Sequence, residues 1–391
     1  MDGLLDSINN GLKEEPQKIA EARKKGQKVV GYFCPQVPEE LILAAGMLPL
    51  RLAFGGKAEA ASAGEHYLGP GRCPLTSSML GYGALSSNHY FDAVDAVCIA
   101  YTSEGMPMVQ ANWEKYFKVP VFPLGVLRTV DRMRTRPQAT EYFRKELELL
   151  RKRLGEFSGK RVTGGDIRRA TALANLIREE LRSLYEYPRS DRSPIEWRQA
   201  LQIAQAGFLM ERNRFLEELV KINGELRQRK SEDLPLDQRS RLMVVGDQIG
   251  IGDTKLMDAI KRAGGNIVTD CLCTGSMLLR KRVPVFGLVE HPVDTLVERY
   301  LYNVPCPSMT DLPRRLDYML KTAREFKVHG AILYSLEHCG AARSEYKAIK
   351  DTLYRELLIP TLLIETDYSM LDADDIRTEV EAFIDILGGR I

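Results

Sequence analysis

The chain has 391 residues, 44% of them hydrophobic, which at about 100–200 residues per domain gives room for two or three domains with filled cores. Fifty-five Lys and Arg against 53 Asp and Glu leave a formal charge of +2, which argues against a nucleic-acid groove or a polybasic membrane face and for small-molecule chemistry. No apolar run approaches about 18 residues and the N-terminus lacks the basic and apolar regions of a signal peptide, so a cytoplasmic protein without membrane spans is expected.

From residue 28 short apolar runs alternate with amphipathic stretches, the pattern of βα units feeding a parallel sheet. KVVGYF (28–33) reads as a strand, PEELILAAG (38–46) as a helix with Pro38 in its first turn, and LPLRLAF (48–54) as a second strand. A Gly-rich loop carries Cys73 into a helix from Pro74. AVDAVCIAY (93–101) is a near-continuous apolar run of buried-strand type, and a helix (107–117) and a strand (119–126) follow. Between 137 and 230 the period becomes 3.6, with Phe143, Leu147, Leu150, Leu154 and Phe157 on one face and Ile167, Ala170, Ala174, Ile177, Leu181 and Leu184 on another. Ser193-Pro194-Ile195-Glu196 reads as a capping box opening one long helix through Trp197, Leu201 and Phe208. The polar SEDLPLDQRS (231–240) breaks the period. Strands are then expected at 242–246, 266–270, 283–290, 330–336 and 359–365, with helices from Asp253 and over 292–303, 311–326, 344–357 and 373–387. The expected fold class is therefore α/β: two doubly wound Rossmann-like domains with parallel sheets (1–136 and 241–391), separated by a helical segment and linker (137–240). Ligands in such sheets gather at the carboxyl edge of the strands.

The seven cysteines are too few for a disulfide scaffold, and their placement is informative. Cys34 follows strand 28–33, Cys271 and Cys273 follow NIVTD, and Cys339 follows GAILYSL, all at strand ends. Cys73 in LGPGRCP and Cys306 in NVPCPS each precede a proline in a loop that reaches the same edge. Cys98, inside a strand between Val97 and Ile99, reads as a buried small hydrophobe. The spacing does not match a zinc site, a C-x-x-C redox pair or a cysteine nucleophile with a spatially adjacent histidine. Iron–sulfur ligation tolerates scattered loop cysteines, and six thiolates match two cubanes with three protein ligands apiece; six unrelated cysteines are the alternative. Gly246, Gly250 and Gly252 in VVGDQIGIGD fit no phosphate-loop spacing and read as a tight strand-to-helix turn.

Several segments together resemble one family: GYFCPQVPEELILAAGMLPLRL, RCPLTSS, AYTSEGMPMVQANWEKYF, TDCLCTGS, ERYLYNVPCP, HGAILYSLEHCG and the ending IPTLLIETDYSMLDADDIRTEVEAFIDIL. They are similar to the 2-hydroxyacyl-CoA dehydratase and benzoyl-CoA reductase family, iron–sulfur proteins that receive electrons from an ATP-hydrolysing activator protein. The resemblance covers about 28–125 and 241–388 and implies a cluster between two Rossmann-like domains. The family's usual ligands lie in a C-P element, a T-C-D turn and a cysteine after the penultimate strand. Cys73 and Cys339 match the first and third, but Thr102-Ser103-Glu104 stands in place of T-C-D. The additional Cys34 and Cys271 resemble the double-cubane branch, in which two [4Fe–4S] units joined through a sulfide, an [8Fe–9S] group, are held by six cysteines. The implied ligands are Cys34, Cys73, Cys271, Cys273, Cys306 and Cys339, with Cys98 the rival of Cys273. Glu40 of P-E-E-L matches a family glutamate near the cluster and either holds a proton for substrate or serves its helix N-terminus. Glu104, Glu337 and His338 are strand-end groups placed to relay protons. The expected function is ATP-dependent reduction of a small molecule by a homodimer; a [4Fe–4S] 2-hydroxyacyl-CoA dehydratase subunit and a non-catalytic electron carrier are the alternatives.

Overall fold

The computed structural model describes residues 3–128, 136–279, 282–284, 292–309 and 311–388. Two four-stranded sheets organise the chain. The first contains β1 (Val29–Tyr32), β2 (Leu48–Arg51), β3 (Ala96–Ala100) and β4 (Val121–Leu124) in the order β2-β1-β3-β4. The second contains β5 (Ser240–Gly246), β6 (Gly265–Cys271), β7 (Gly330–Leu336) and β8 (Thr361–Thr366) in the order β6-β5-β7-β8. Every pairing is parallel, so the chain forms two Rossmann-like domains of the same strand order. Of the expected strand 283–290, residues 285–290 lie outside the described residues.

The near-continuous apolar strands are buried on both faces, as a sheet covered by helices on each side demands. In the first sheet Val30, Ala96, Cys98 and Ala100 point into one core with Phe143, Leu147 and Leu154, while Val29, Val97 and Ile99 point into another with Trp113 and Phe91. In the second, Leu242 and Val244 face a core shared with Trp197 and Leu201, and Met243, Val245 and Cys271 face the opposite one. The 3.6-period middle forms helices Arg136–Ser158, Gly164–Glu186, Trp197–Ala206 and Arg212–Gln228, on whose last two the N-terminal helix Gly3–Lys24 packs.

Two local expectations are corrected. The single long helix after Ser193 is two helices. The first starts at Trp197 with Glu196 and Gln199 forming the capping box, and the chain breaks at 207–211, where Arg212 donates to the carbonyls of Gly207 (2.6 Å) and Met210 (2.7 Å). The loop expected after β2 contains a helix, Ala58–Leu68, which crosses Pro74–Leu85 at two glycines. A Cβ on Gly64 would lie 1.8 Å from the Ser77 carbonyl oxygen, and one on Gly81 would lie 1.7 Å from that of Ala60.

The glycine turn after β5 joins the domains. Ile251 forms an isolated parallel bridge with Phe54, donating to the Ala53 carbonyl (2.7 Å) and accepting from Gly55 N–H (3.0 Å). Gly250 and Gly56 sit where the two backbones cross: a Cβ on Gly250 would be 2.7 Å from Gly55 N, and one on Gly56 2.6 Å from Asp253 Cα.

Candidate functional site

In a 2-1-3-4 order the connections leave β1 and β3 in opposite directions, which opens a crevice at their carboxyl ends; β5 and β7 do the same in the second sheet. The two crevices face each other across one cleft of about 640 Å³. Its walls are the residues after those four strands: Cys34 and Gln36 after β1, Thr102–Glu104 after β3, Asp247 and Gln248 after β5, and His338 and Cys339 after β7. Cys73, at the head of Pro74–Leu85, and Cys273 and Cys306 complete the lining, so five of the six expected thiols meet there.

Cys271 does not line the cleft. It is the last residue of β6, paired with Val245, and its side chain is buried in the core with Val268 and Met277. Cys98 is likewise buried on β3, in the core with Phe143 and Leu147, where burial and, secondarily, the nearby Cys34 push its thiol up.

Each cleft thiol has a defined setting. Cys34 Sγ lies 3.0 Å from Thr102 Oγ1, and burial, opposed by that hydroxyl, pushes its thiol up to about 11. Cys273 is pushed up to about 12 by burial and by the nearby Cys306 and Cys34, against the pull of Arg51. Arg51 is 1% exposed, stacks on Phe208 at 4.7 Å, and donates to the Cys273 carbonyl (2.8 Å) and sulfur (3.5 Å). Arg315, equally buried, donates to the Cys306 carbonyl (3.0 Å) and pairs with Glu345. Cys73 and Cys339 are joined as a disulfide across the cleft, with Cα atoms 4.7 Å apart.

This donor set fits an iron–sulfur group. Three free thiols and one reducible pair surround a cavity, with two buried guanidiniums to balance thiolate charge. Among the described residues no three His, Cys, Asp or Glu side chains converge on one point. Unsatisfied amides of two glutamines on the walls, Gln36 and Gln248, point to a bound group: buried polar groups are retained where something bonds them.

Of the expected acid–base residues, Glu104 and His338 lie on the cleft wall and are exposed, His338 with φ +58°. Glu337 is also exposed but is not part of the lining. Glu40 lies behind the wall, fully buried, where it accepts from Arg178 (2.6 Å) and Tyr300 Oη (2.6 Å) and ties three helical segments together. Sequence reasoning missed Asp247, which accepts from Leu336 N–H (2.9 Å) and whose carboxyl is raised to about 6 by burial. It also missed Arg51. Asp247 was findable by the rule used for the cysteines, since it directly follows a strand; Arg51 was not, because nothing in one sequence says that β2 approaches Cys273.

The described helices include none long and apolar enough to cross a membrane. The family model for the 2-hydroxyglutaryl-CoA dehydratase D-component matches residues 34–387. Relatives include YjiM of Escherichia coli (strain K12), whose name assigns it provisionally as a dehydratase subunit, 27% identical over 98% of both chains. The (R)-phenyllactyl-CoA dehydratase beta subunit of Clostridium sporogenes is 24% identical over 96% of both. One subunit of the benzoyl-CoA reductase of Thauera aromatica is 22% identical over 83% of this chain and 82% of its own.

Proposed function

The chain belongs to the 2-hydroxyglutaryl-CoA dehydratase D-component family, and from that premise we propose that it is a low-potential iron–sulfur reductase holding a double-cubane [8Fe–9S] cluster in the interdomain cleft. The observation that carries the reading is the meeting of Cys34, Cys73, Cys273, Cys306 and Cys339 on one cavity, with Ser103 where the family's usual second thiol would stand. These five are the donors, and the sixth is Cys271 or Cys98, both buried in the cores of the sheets. When bound, the group supplies electrons at low potential; the remaining chemistry belongs to the polypeptide. Arg51 and Arg315 offset thiolate charge. Because Cys34 and Cys273 are neutral thiols at ordinary pH, loading releases their protons. A dithiol reductant must first give the Cys73–Cys339 bridge two electrons and two protons, yielding two thiols while it is itself oxidised to a disulfide. Asp247, Glu104 and His338 are the groups on the wall that can hold a proton for a reduced substrate.

Low-potential reduction calls for an ATP-hydrolysing activator as electron donor, and a two-fold homodimer is the proposed assembly. The relatives named as dehydratase subunits favour a second reading, a [4Fe–4S] 2-hydroxyacyl-CoA dehydratase subunit, which needs only three of the cleft thiols. Anaerobically purified protein separates the two: about eight irons and eight sulfides per chain support the double cubane, about four support the dehydratase, and zinc without sulfide overturns both. Cys98→Ser and Cys271→Ser then assign the sixth ligand by which one lowers the iron content. With activator and ATP, turnover of small unsaturated or N–N bonded molecules supports the reductase, whereas dehydration of 2-hydroxyacyl-CoA thioesters overturns it.

A further inference from the structure

Two side chains on the cleft wall carry buried amide atoms without a partner. Gln36 follows Cys34-Pro35 at the end of β1; it is 0% exposed, and neither its amide nitrogen nor its amide oxygen has a hydrogen-bond partner. Gln248 follows Asp247 at the end of β5; it is 7% exposed, and its Nε2 is unpartnered. Its Oε1 lies 3.6 Å from Cys273 Sγ. The two amides come from different domains and line the same cavity, one beside Cys34 and the other beside Cys273.

A buried amide without partners opposes folding by roughly the free energy of the hydrogen bonds it gave up to water. Of the apolar residues of similar length, none would carry that penalty. A group bound in the cavity these amides line would supply the partners, and its chemistry decides which amide atom faces it. The sulfur atoms of an iron–sulfur group, bridging sulfide and ligating cysteine alike, carry no proton and only accept hydrogen bonds. An amide facing them must present N–H. Gln248 meets the requirement by turning its amide over, so that Nε2 takes the place of Oε1 beside Cys273; the assignment of O and N in an amide follows its network.

We propose that Gln36 and Gln248 are positioning residues that donate amide N–H bonds to the sulfur atoms of the bound group, one from each domain, and thereby set its reduction potential. The proposal rests on the iron–sulfur reading above. Hydrogen bonds to cluster sulfur favour the more negative, reduced state and raise the potential. The pair thus holds the group at a potential that the electron donor can reach, while the buried setting draws it down.

The test uses the full chain, reduced with a dithiol to open the Cys73–Cys339 bridge and then reconstituted anaerobically with iron and sulfide, as wild type, Gln36→Met and Gln248→Met. Methionine keeps the length of the side chain and removes the amide. Three quantities are read: iron per chain, the midpoint potential from a redox titration followed by electron paramagnetic resonance, and the unfolding temperature of the metal-free protein. Each variant is expected to retain iron and to favour the reduced state about tenfold less, a fall of about 59 mV for a one-electron couple. The metal-free variants are expected to unfold at higher temperature than wild type, because the unpartnered amide is gone. If a methionine variant fails to load, Gln36→Asn and Gln248→Asn, which withdraw the amide by one carbon, decide by the same downward shift. Loaded variants whose midpoint matches wild type overturn the proposal. A wild-type chain that takes up no iron and sulfide overturns the site reading itself, and the two failures are thereby distinguished.

Discussion

Asp253 offers a sharp test of how the two domains are joined. It ends the loop that crosses Phe54–Gly56, it is 4% exposed, and it accepts from Tyr334 Oη at 2.6 Å. Burial raises its carboxyl from 3.8 to about 6, against the opposing pull of Tyr334 and Lys255. Because the folded value lies above the unfolded one, the associated stability is fully present below about pH 4 and is lost as pH rises through about 6. At about 1.36 kcal/mol per unit the whole loss is about 3 kcal/mol, of which about 2 kcal/mol falls between pH 4.5 and 7.5. Asp253→Asn keeps an oxygen for Tyr334 and removes the charge. It is expected to stabilise the metal-free protein relative to wild type by about 2 kcal/mol more at pH 7.5 than at pH 4.5, a relative rise of about 2–3 °C in unfolding temperature for a chain this long. Thermal unfolding of both proteins at the two pH values, in the same buffer ions, measures it. A difference between variant and wild type that is the same at both values would refute the reasoning.

Three further outcomes are expected. Arg178→Met leaves Glu40 buried with Tyr300 as its remaining partner and should cost about 3–5 kcal/mol in denaturant unfolding, whereas Glu40→Gln, which keeps hydrogen bonds to both, should cost less. Gly56→Ala, at φ +71° with Asp253 Cα and the Gly252 oxygen 2.6 Å from the new Cβ, should destabilise by at least about 1 kcal/mol, read as a lower denaturation midpoint. Metal-free protein purified in air should expose five thiols to alkylation when unfolded without reductant and seven after reduction, and mass spectrometry of the peptides should place the protected pair at Cys73 and Cys339.

The strands and most helices are legible because two-sided burial leaves unbroken apolar runs such as AVCIA and the period-3.6 middle leaves a stripe. Strand-end logic likewise locates the cleft cysteines. It misplaces Cys271 because it ends the strand one residue early, at Asp270: the ladder continues through the Val245–Cys271 pair, so the side chain stays in the sheet's core. The Ala58–Leu68 helix is hidden by Gly64 and the glycines on either side of it, which read as loop residues, although Gly64 serves a close helix crossing. Gly250 likewise reads as a turn residue, although its small size is needed for the backbone of the other domain to pass. Contacts between distant segments, such as Arg51 with Cys273 or Arg178 with Glu40, leave no periodic trace in either segment.

The residues that line the cleft are drawn from both halves of the chain, and this fixes a timetable. Cys73 and Cys339 are separated by 266 residues. At about 5–20 residues per second, Cys73 waits about 13–50 s on the ribosome before Cys339 exists. Until the second domain has been made, Cys34 and Cys73 stand without Gln248, Cys273, Cys306 and Arg315. A cavity whose walls are completed only by the final strands is closed after those strands have been made, and an oxidant that reaches the nascent chain meets its N-terminal thiols before any partner from the C-terminal half can cover them.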